Sequence, residues 1–158
     1  MNSDNHPTST VMPAPQYIAA RRILLDALTA LAPHGKAFIV AGAQAVYLRT
    51  GVSDIAIAPY TTDGDLALDP SLLGDEPEIE QAMREAGFTH LKTGDDLVIP
   101  GTWVATSFID GVETIVPIDL IVPEAAASVR GRRAARLGTH GNIAARKSAG
   151  CTRWRCSP

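Results

Sequence analysis

Residues 61–70 read Thr-Thr-Asp-Gly-Asp-Leu-Ala-Leu-Asp-Pro, and the run Asp63–Leu68 inside them alternates with a period of two. That period belongs to a strand, and Asp69-Pro70 ends it. One face of the strand then carries Asp63 and Asp65, and the other carries Gly64, Leu66 and Leu68. Side chains two apart on a strand leave the same face about 6–7 Å apart. Two carboxylates held that close repel each other unless a cation lies between them. Oxygen ligands of this kind suit Mg²⁺, which takes one or two carboxylates and completes its shell with water and phosphate. Most isolated Asp-x-Asp pairs are solvated turn acids, so the pair needs a companion.

The companion is Asp119, in Val116–Val122 (Val-Pro-Ile-Asp-Leu-Ile-Val), where an otherwise apolar strand should be largely buried. A carboxylate there carries a desolvation penalty unless it is paired or bound to a cation. The competing explanation is a strand-end Asp that holds an Arg or caps a loop.

Working outward, residues 16–32 predict an amphipathic helix, with Ile18, Leu25 and Leu28 at helical spacing and Leu24 and Leu31 beside them, stopped by Pro33 and Gly35. Residues 37–41 predict a short strand, and Gly42 opens a turn into a brief helix, followed by a loop of about ten residues through Ala58-Pro59. Residues 76–87 predict a helix with acids at its start and Gly87 near its end. Strands are expected at Phe88–Lys92, Leu97–Ile99, Trp103–Ile109 and Val112–Val122, the last two joined by Asp110-Gly111, a strong two-residue hairpin signal. From Ala125 to Gly150 the Ala- and Arg-rich pattern predicts a return to helix, interrupted near Gly138–Gly141. The fold class is α/β (α+β), a mixed sheet of about five strands flanked by helices.

Composition agrees with one such domain. The chain has 158 residues, 46% hydrophobic and 20% charged, which excludes wholesale disorder. Residues 1–15 are polar and dotted with proline and read as a disordered leader, residues 16–150 as the domain, and residues 151–158 as an irregular tail. The leader lacks the basic start and apolar run of a signal peptide, and no apolar run reaches the ~18–20 residues that cross a bilayer. Cys151 and Cys156 both lie in the tail, so no disulfide framework runs through the domain. As a metal or redox pair, a Cys-x4-Cys without further ligands is weak. These features point to the cytoplasm and away from the membrane. The net charge of -3 hides an asymmetry: all 17 Asp and Glu lie at or before Glu124. Arg130, Arg132, Arg133, Arg136, Arg146, Lys147, Arg153 and Arg155 follow it with no acid among them. Such a segment suits phosphate contacts, with Trp154 placed to stack on a base, or it complements the acidic body in cis.

Phe38–Val46, Ala58–Pro70 and Pro117–Val122 together resemble the DNA polymerase beta-type nucleotidyltransferase superfamily. Its pattern is a strand, a glycine turn, a helix, a strand bearing Asp-x-Asp, and a third Asp on a neighbouring strand. Within it the chain is most similar to the AbiEii and MenT type of toxin nucleotidyltransferases from bacterial toxin–antitoxin systems. The basic Ala-Arg-Lys segment of those proteins matches Ala145-Arg146-Lys147 here, and the likeness spans roughly residues 35–150. The resemblance implies an enzyme that moves NMP from an NTP to an acceptor hydroxyl, with RNA, and tRNA 3′ ends in particular, as acceptor and a cognate antitoxin as partner. It implies two Mg²⁺ ions held by Asp63, Asp65 and Asp119, the last also helping to deprotonate the attacking hydroxyl. Gly42, Ala43 and Gln44 would offer backbone N–H groups to phosphate, and Lys147, with Arg146, would neutralise the leaving pyrophosphate.

The chain departs from the pattern in two places. Gly42-Ala43 stands where Gly-Gly or Gly-Ser is usual, and the connection from Gly42 to Asp63 is long. Relatives with the Ala-Arg-Lys segment continue into a helical region that completes the cleft, whereas this sequence ends eleven residues after Lys147. The rival expectation is therefore a catalytically inactive, C-terminally truncated domain that binds a nucleotide or a protein partner. For Gln44 and Lys147 the plain alternative is a solvent-facing side chain.

Overall fold

The computed structural model describes residues 14–50, 61–127 and 134–148. The expected leader and tail, the cysteine pair, Trp154 and the loop at 51–60 lie outside the described residues. Those described form a mixed sheet with three α-helices: α1 (Pro15–Ala30), β1 (Phe38–Ala41), α2 (Gly42–Thr50), β2 (Gly64–Leu68), α3 (Ile79–Glu85), β3 (Thr89–Lys92), β4 (Val98–Ile109), β5 (Val112–Pro123), β6 (Ala134–Ala135) and β7 (Ala145–Ser148). The strands lie in the order β1-β2-β5-β4-β3, with β7 on β5 and β6 on β7. The α+β class holds, with seven strands in place of about five.

The alternation read at 63–68 sets the centre. Gly64, Leu66, Ala67 and Leu68 of β2 are buried, and β2 runs antiparallel to β1 and parallel to β5. On β5 the buried set is Val116, Ile118, Leu120 and Val122. α1 lies over this apolar face, touching β2, β4 and β5. The stripe it buries is only partly the one expected. Leu24 and Leu31 are buried and Leu28 packs against the core, but Ile18 and Leu25 are exposed, and Tyr17, Ala20, Ile23 and Ala27 point inward. Small residues at three contact positions (Ala19, Ala20 and Ala27) let the helix sit close to the sheet, so packing distance overrides hydrophobicity in choosing the face. Trp103 anchors the layer. Its ring is fully buried, stacks on His90 with centroids 3.8 Å apart, and donates its indole N–H to the carbonyl of Ala144 at 2.9 Å.

Two further expectations are corrected. Leu97–Ile99 and Trp103–Ile109 are one strand, β4, because Gly101 absorbs the irregularity at a φ of +75° without breaking the strand. The helix expected across 125–150 is absent from the described parts: 125–127 lie at the end of a 3-10 turn, and 134–148 hold β6, a second 3-10 turn and β7. Alanine and arginine are among the best helix formers, but propensity is a small term that tertiary pairing overrides. Here Arg146–Ser148 instead pairs with Ile121–Pro123 of β5, filling a vacant ladder position. The Asp110-Gly111 hairpin is as expected: both residues have positive φ, and Ile109 pairs with Val112.

Gly101 also marks an exchange of partners along β5. β4 pairs with β5 from Ile109–Val112 through Thr102–Asp119, and beyond Asp119 the pairing passes to β7. The N–H of Gly101 bonds the carbonyl of Ile143 at 2.8 Å, and a Cβ on Gly101 would collide with the backbone of Ala145 and Arg146. This crossing carries β7, and with it Arg146, to the side of Asp119.

Candidate functional site

The face of the sheet opposite α1 carries the polar residues. Asp65 on β2 and Asp119 on β5 are direct partners in the parallel register, so their side chains rise together from adjacent strands, which lie about 4.8 Å apart. Ala41, the last residue of β1, is the partner of Asp65 on its other side, and Gly42 follows as the first residue of α2. Gly42 has a φ of +64°, and a Cβ there would collide with the Asp65 carboxylate. The turn therefore requires glycine twice, for its backbone conformation and for the room the carboxylate takes. Asp63, one residue before β2, is exposed and accepts a 2.6 Å hydrogen bond from the hydroxyl of Thr61.

Burial pushes the Asp65 carboxyl above its ordinary value, the negative charges of Asp63 and Asp119 push it further, and Arg146 works against them. Asp63 and Asp119 thus both act electrostatically on Asp65. Asp119 has partners for both oxygens. The Thr102 hydroxyl donates to Oδ1 at 2.6 Å, and the Arg146 guanidinium donates to Oδ2 at 2.5 Å. Thr102 is buried, and the side chains of Arg146 and Asp119 are 36% and 20% exposed, which places the ion pair between core and surface. Among the described residues no three His, Cys, Asp or Glu side chains surround a common point.

The remaining candidates divide. Arg146 reaches the carboxylates, but Lys147 follows it on β7 opposite Val122, a core-face residue, so alternation sends its side chain away from Asp65 and Asp119. Ala43 lies partly exposed in the first turn of α2. Gln44, in the same turn, is 1% exposed, and among the described residues neither its amide oxygen nor its amide nitrogen has a hydrogen-bond partner. It is therefore not a solvent-facing residue. An unsatisfied buried amide costs about 1–3 kcal/mol, which a residue placed only for packing would not impose.

Thr102 is the residue that the sequence reading misses. Its signal lies in the Asp110-Gly111 turn, because a two-residue hairpin fixes the register in step from Ile109 opposite Val112 to Thr102 opposite Asp119. A strand expected to begin only at Trp103 stops one residue short of it. No protein-family model, curated protein or solved structure matches the chain.

Proposed function

We propose that the chain is a cytoplasmic, Mg²⁺-dependent nucleotidyltransferase that moves NMP from an NTP to an acceptor hydroxyl, with tRNA as the acceptor. In this reading it acts as the toxin of a toxin–antitoxin pair, with an antitoxin protein as its partner. The observation that carries the reading is the register pairing of Asp65 with Asp119 on adjacent parallel strands, directly beside the Gly42 turn. Among the described residues no helix is long and apolar enough to cross a membrane.

The donor set fits magnesium. Mg²⁺ asks for one or two carboxylates and oxygen from water and phosphate, not a closed cage of side chains. Asp63, Asp65 and Asp119 together hold more negative charge than Arg146 offsets, and with burial this holds the Asp65 proton more tightly than usual. Asp65 and Asp119, with Asp63 at the rim, would hold the metal. Bound there, magnesium would supply Lewis-acid stabilisation to the attacking and leaving oxygens of an in-line displacement. The residues do the remaining work. Thr102 fixes the plane of the Asp119 carboxylate, leaving that carboxylate to accept the proton of an acceptor hydroxyl. The Gly42 turn brings the start of α2 against Asp65, where the first-turn backbone N–H groups favour an anion.

The test uses purified protein with Mg²⁺, each labelled NTP and total tRNA. Label should enter tRNA, and Asp63→Ala and Asp119→Ala should each reduce it more than about 100-fold. Labelling unchanged by both substitutions overturns the assignment. The Arg146–Asp119 ion pair favours one competing reading, a nucleotide-binding domain without turnover, in which Asp119 is structural. That reading expects NTP to raise the melting temperature while no label is transferred.

A further inference from the structure

Asp119 raises a question that the proposed chemistry leaves open. A carboxylate that binds a divalent cation must offer it a lone pair, yet one oxygen of Asp119 accepts from Thr102 and the other from Arg146. The two donors are not equivalent. The Thr102 hydroxyl is neutral, comes from the neighbouring strand in fixed register, and leaves its oxygen further acceptor capacity. The guanidinium is a full positive charge at the position where a second cation would have to approach, and two cations sharing one carboxylate in a half-buried site repel each other.

The hold of Arg146 is also incomplete. Its side chain is 36% exposed, and its Nε is buried with no hydrogen-bond partner among the described residues. Part of what the ion pair gains is offset by that unsatisfied N–H, and the long aliphatic stem can carry the head group into water. The partner exchange at Gly101 fixes only the backbone of Arg146 beside Asp119. The register pairing of Asp65 with Asp119 places the second carboxylate on the strand next to the one that Arg146 grips.

We propose that Arg146 is the resident counter-ion of the Asp65–Asp119 pair, an autoinhibitory contact that a divalent cation must displace in order to bind. This rests on the metal-dependent reading above. By linkage, whatever free energy Arg146 contributes to the metal-free pair is subtracted from metal affinity, so removing the guanidinium strengthens metal binding.

Binding of Mn²⁺ alone, followed by the loss of the free-ion electron paramagnetic resonance signal, tests this without any turnover. Arg146→Gln should tighten Mn²⁺ binding about tenfold relative to the unsubstituted chain, and Arg146→Lys, which keeps the charge but not the fork of donors, about two- to threefold. The double substitution Arg146→Gln with Asp65→Asn should lose the gain. If the unsubstituted chain binds Mn²⁺ and Arg146→Gln binds it equally or more weakly, Arg146 is not a competitor and the proposal fails while the metal-dependent reading stands. Should Arg146→Gln not fold, equal or weaker binding by Arg146→Lys overturns the proposal in the same way. If neither the unsubstituted chain nor any Arg146 variant binds Mn²⁺, the metal-dependent reading falls and this inference falls with it. A gain that persists without Asp65 places the ion elsewhere and also overturns the proposal.

Discussion

The two faces of the sheet use the same strands for opposite ends. On the covered face, Leu66, Trp103, Ile118 and Leu120 are fully buried, and the buried indole N–H is matched by the Ala144 carbonyl. On the open face, one residue along each of the same strands, stand Asp65, Thr102 and Asp119, together with Arg146 from β7. The covered face is mostly apolar, although both ring nitrogens of His90, stacked on Trp103, lack hydrogen-bond partners among the described residues. The open face gathers like charges, holds Asp65 above its ordinary proton affinity and leaves the Nε of Arg146 without a partner among the described residues. Like charges gathered on one face cost stability, and groups whose proton affinity is shifted in this way are candidates for function. Alternation lets one set of strands bury an apolar layer on one side and gather charged and hydroxyl side chains on the other.

The comparison breaks first if the covered face is not where stability resides. Trp103→Ala removes the largest fully buried side chain and leaves the Ala144 carbonyl without its donor, so a loss of about 3–5 kcal/mol is expected in urea unfolding. A loss under about 1 kcal/mol would mean that the two faces are not distinct in this way. Gly101→Ala comes next, at about 2–3 kcal/mol, because it combines a positive φ with a collision against the β7 backbone. It also joins the two faces: if β7 is pushed away, Arg146 should leave Asp119. Thermal unfolding measures the first effect, and the chemical shift of the Arg146 Nε–H group the second.

Much of the covered face is legible in the sequence, and less of the open one. The period-two run at Asp63–Leu68 places the acids on one face and the leucines on the other, and Asp110-Gly111 places the hairpin. Both are local signals, set by alternation and by turn sterics. The pairing of Asp65 with Asp119 is not local. It joins β2 to β5 across α3, β3 and β4, and only the family resemblance leads one to expect it. The strand at Ala145–Ser148 is illegible for the same reason. Its composition favours helix, and the reason it forms a strand is the edge that β5 offers beyond Asp119. Reading that segment as helix conceals which basic residue reaches the acids. On a strand, Arg146 and Lys147 must take opposite faces, and only Arg146 meets Asp119. The inward stripe of α1 is hard to read because alanine is a weak hydrophobic signal but a good close-packing residue.

Thr102→Val sharpens the comparison with a smaller effect. The two side chains have nearly the same shape, so the change removes one hydrogen bond from Asp119 and little else. A loss of about 1–2 kcal/mol is expected, since the bond goes to a charged acceptor. If the open face is a site, the same variant should also weaken Mn²⁺ binding through the loosened carboxylate. A loss of stability with unchanged Mn²⁺ affinity would mark Thr102 as structural only.

The smallest effect has the opposite sign, and that sign separates the faces. Asp65 is held above its ordinary carboxyl value by burial and by Asp63 and Asp119, so the folded chain binds this proton more tightly than the unfolded chain does. Stability therefore falls as pH rises from about 4 through the raised value, and the cost persists at neutral pH. Asp65→Asn removes it, and because the group is half buried and partly screened, the melting temperature at pH 7 should rise by only about 2 °C. The gain should vanish below about pH 3, where Asp65 is neutral in both states. His90, packed on Trp103, makes the contrast. Burial lowers its proton affinity, so below about pH 6.5 the unfolded chain takes a proton that the folded chain resists, and stability falls as pH falls. If Asp65→Asn instead destabilises the chain at pH 7, Asp65 is a satisfied structural acid, and the open face is no more a site than the covered one.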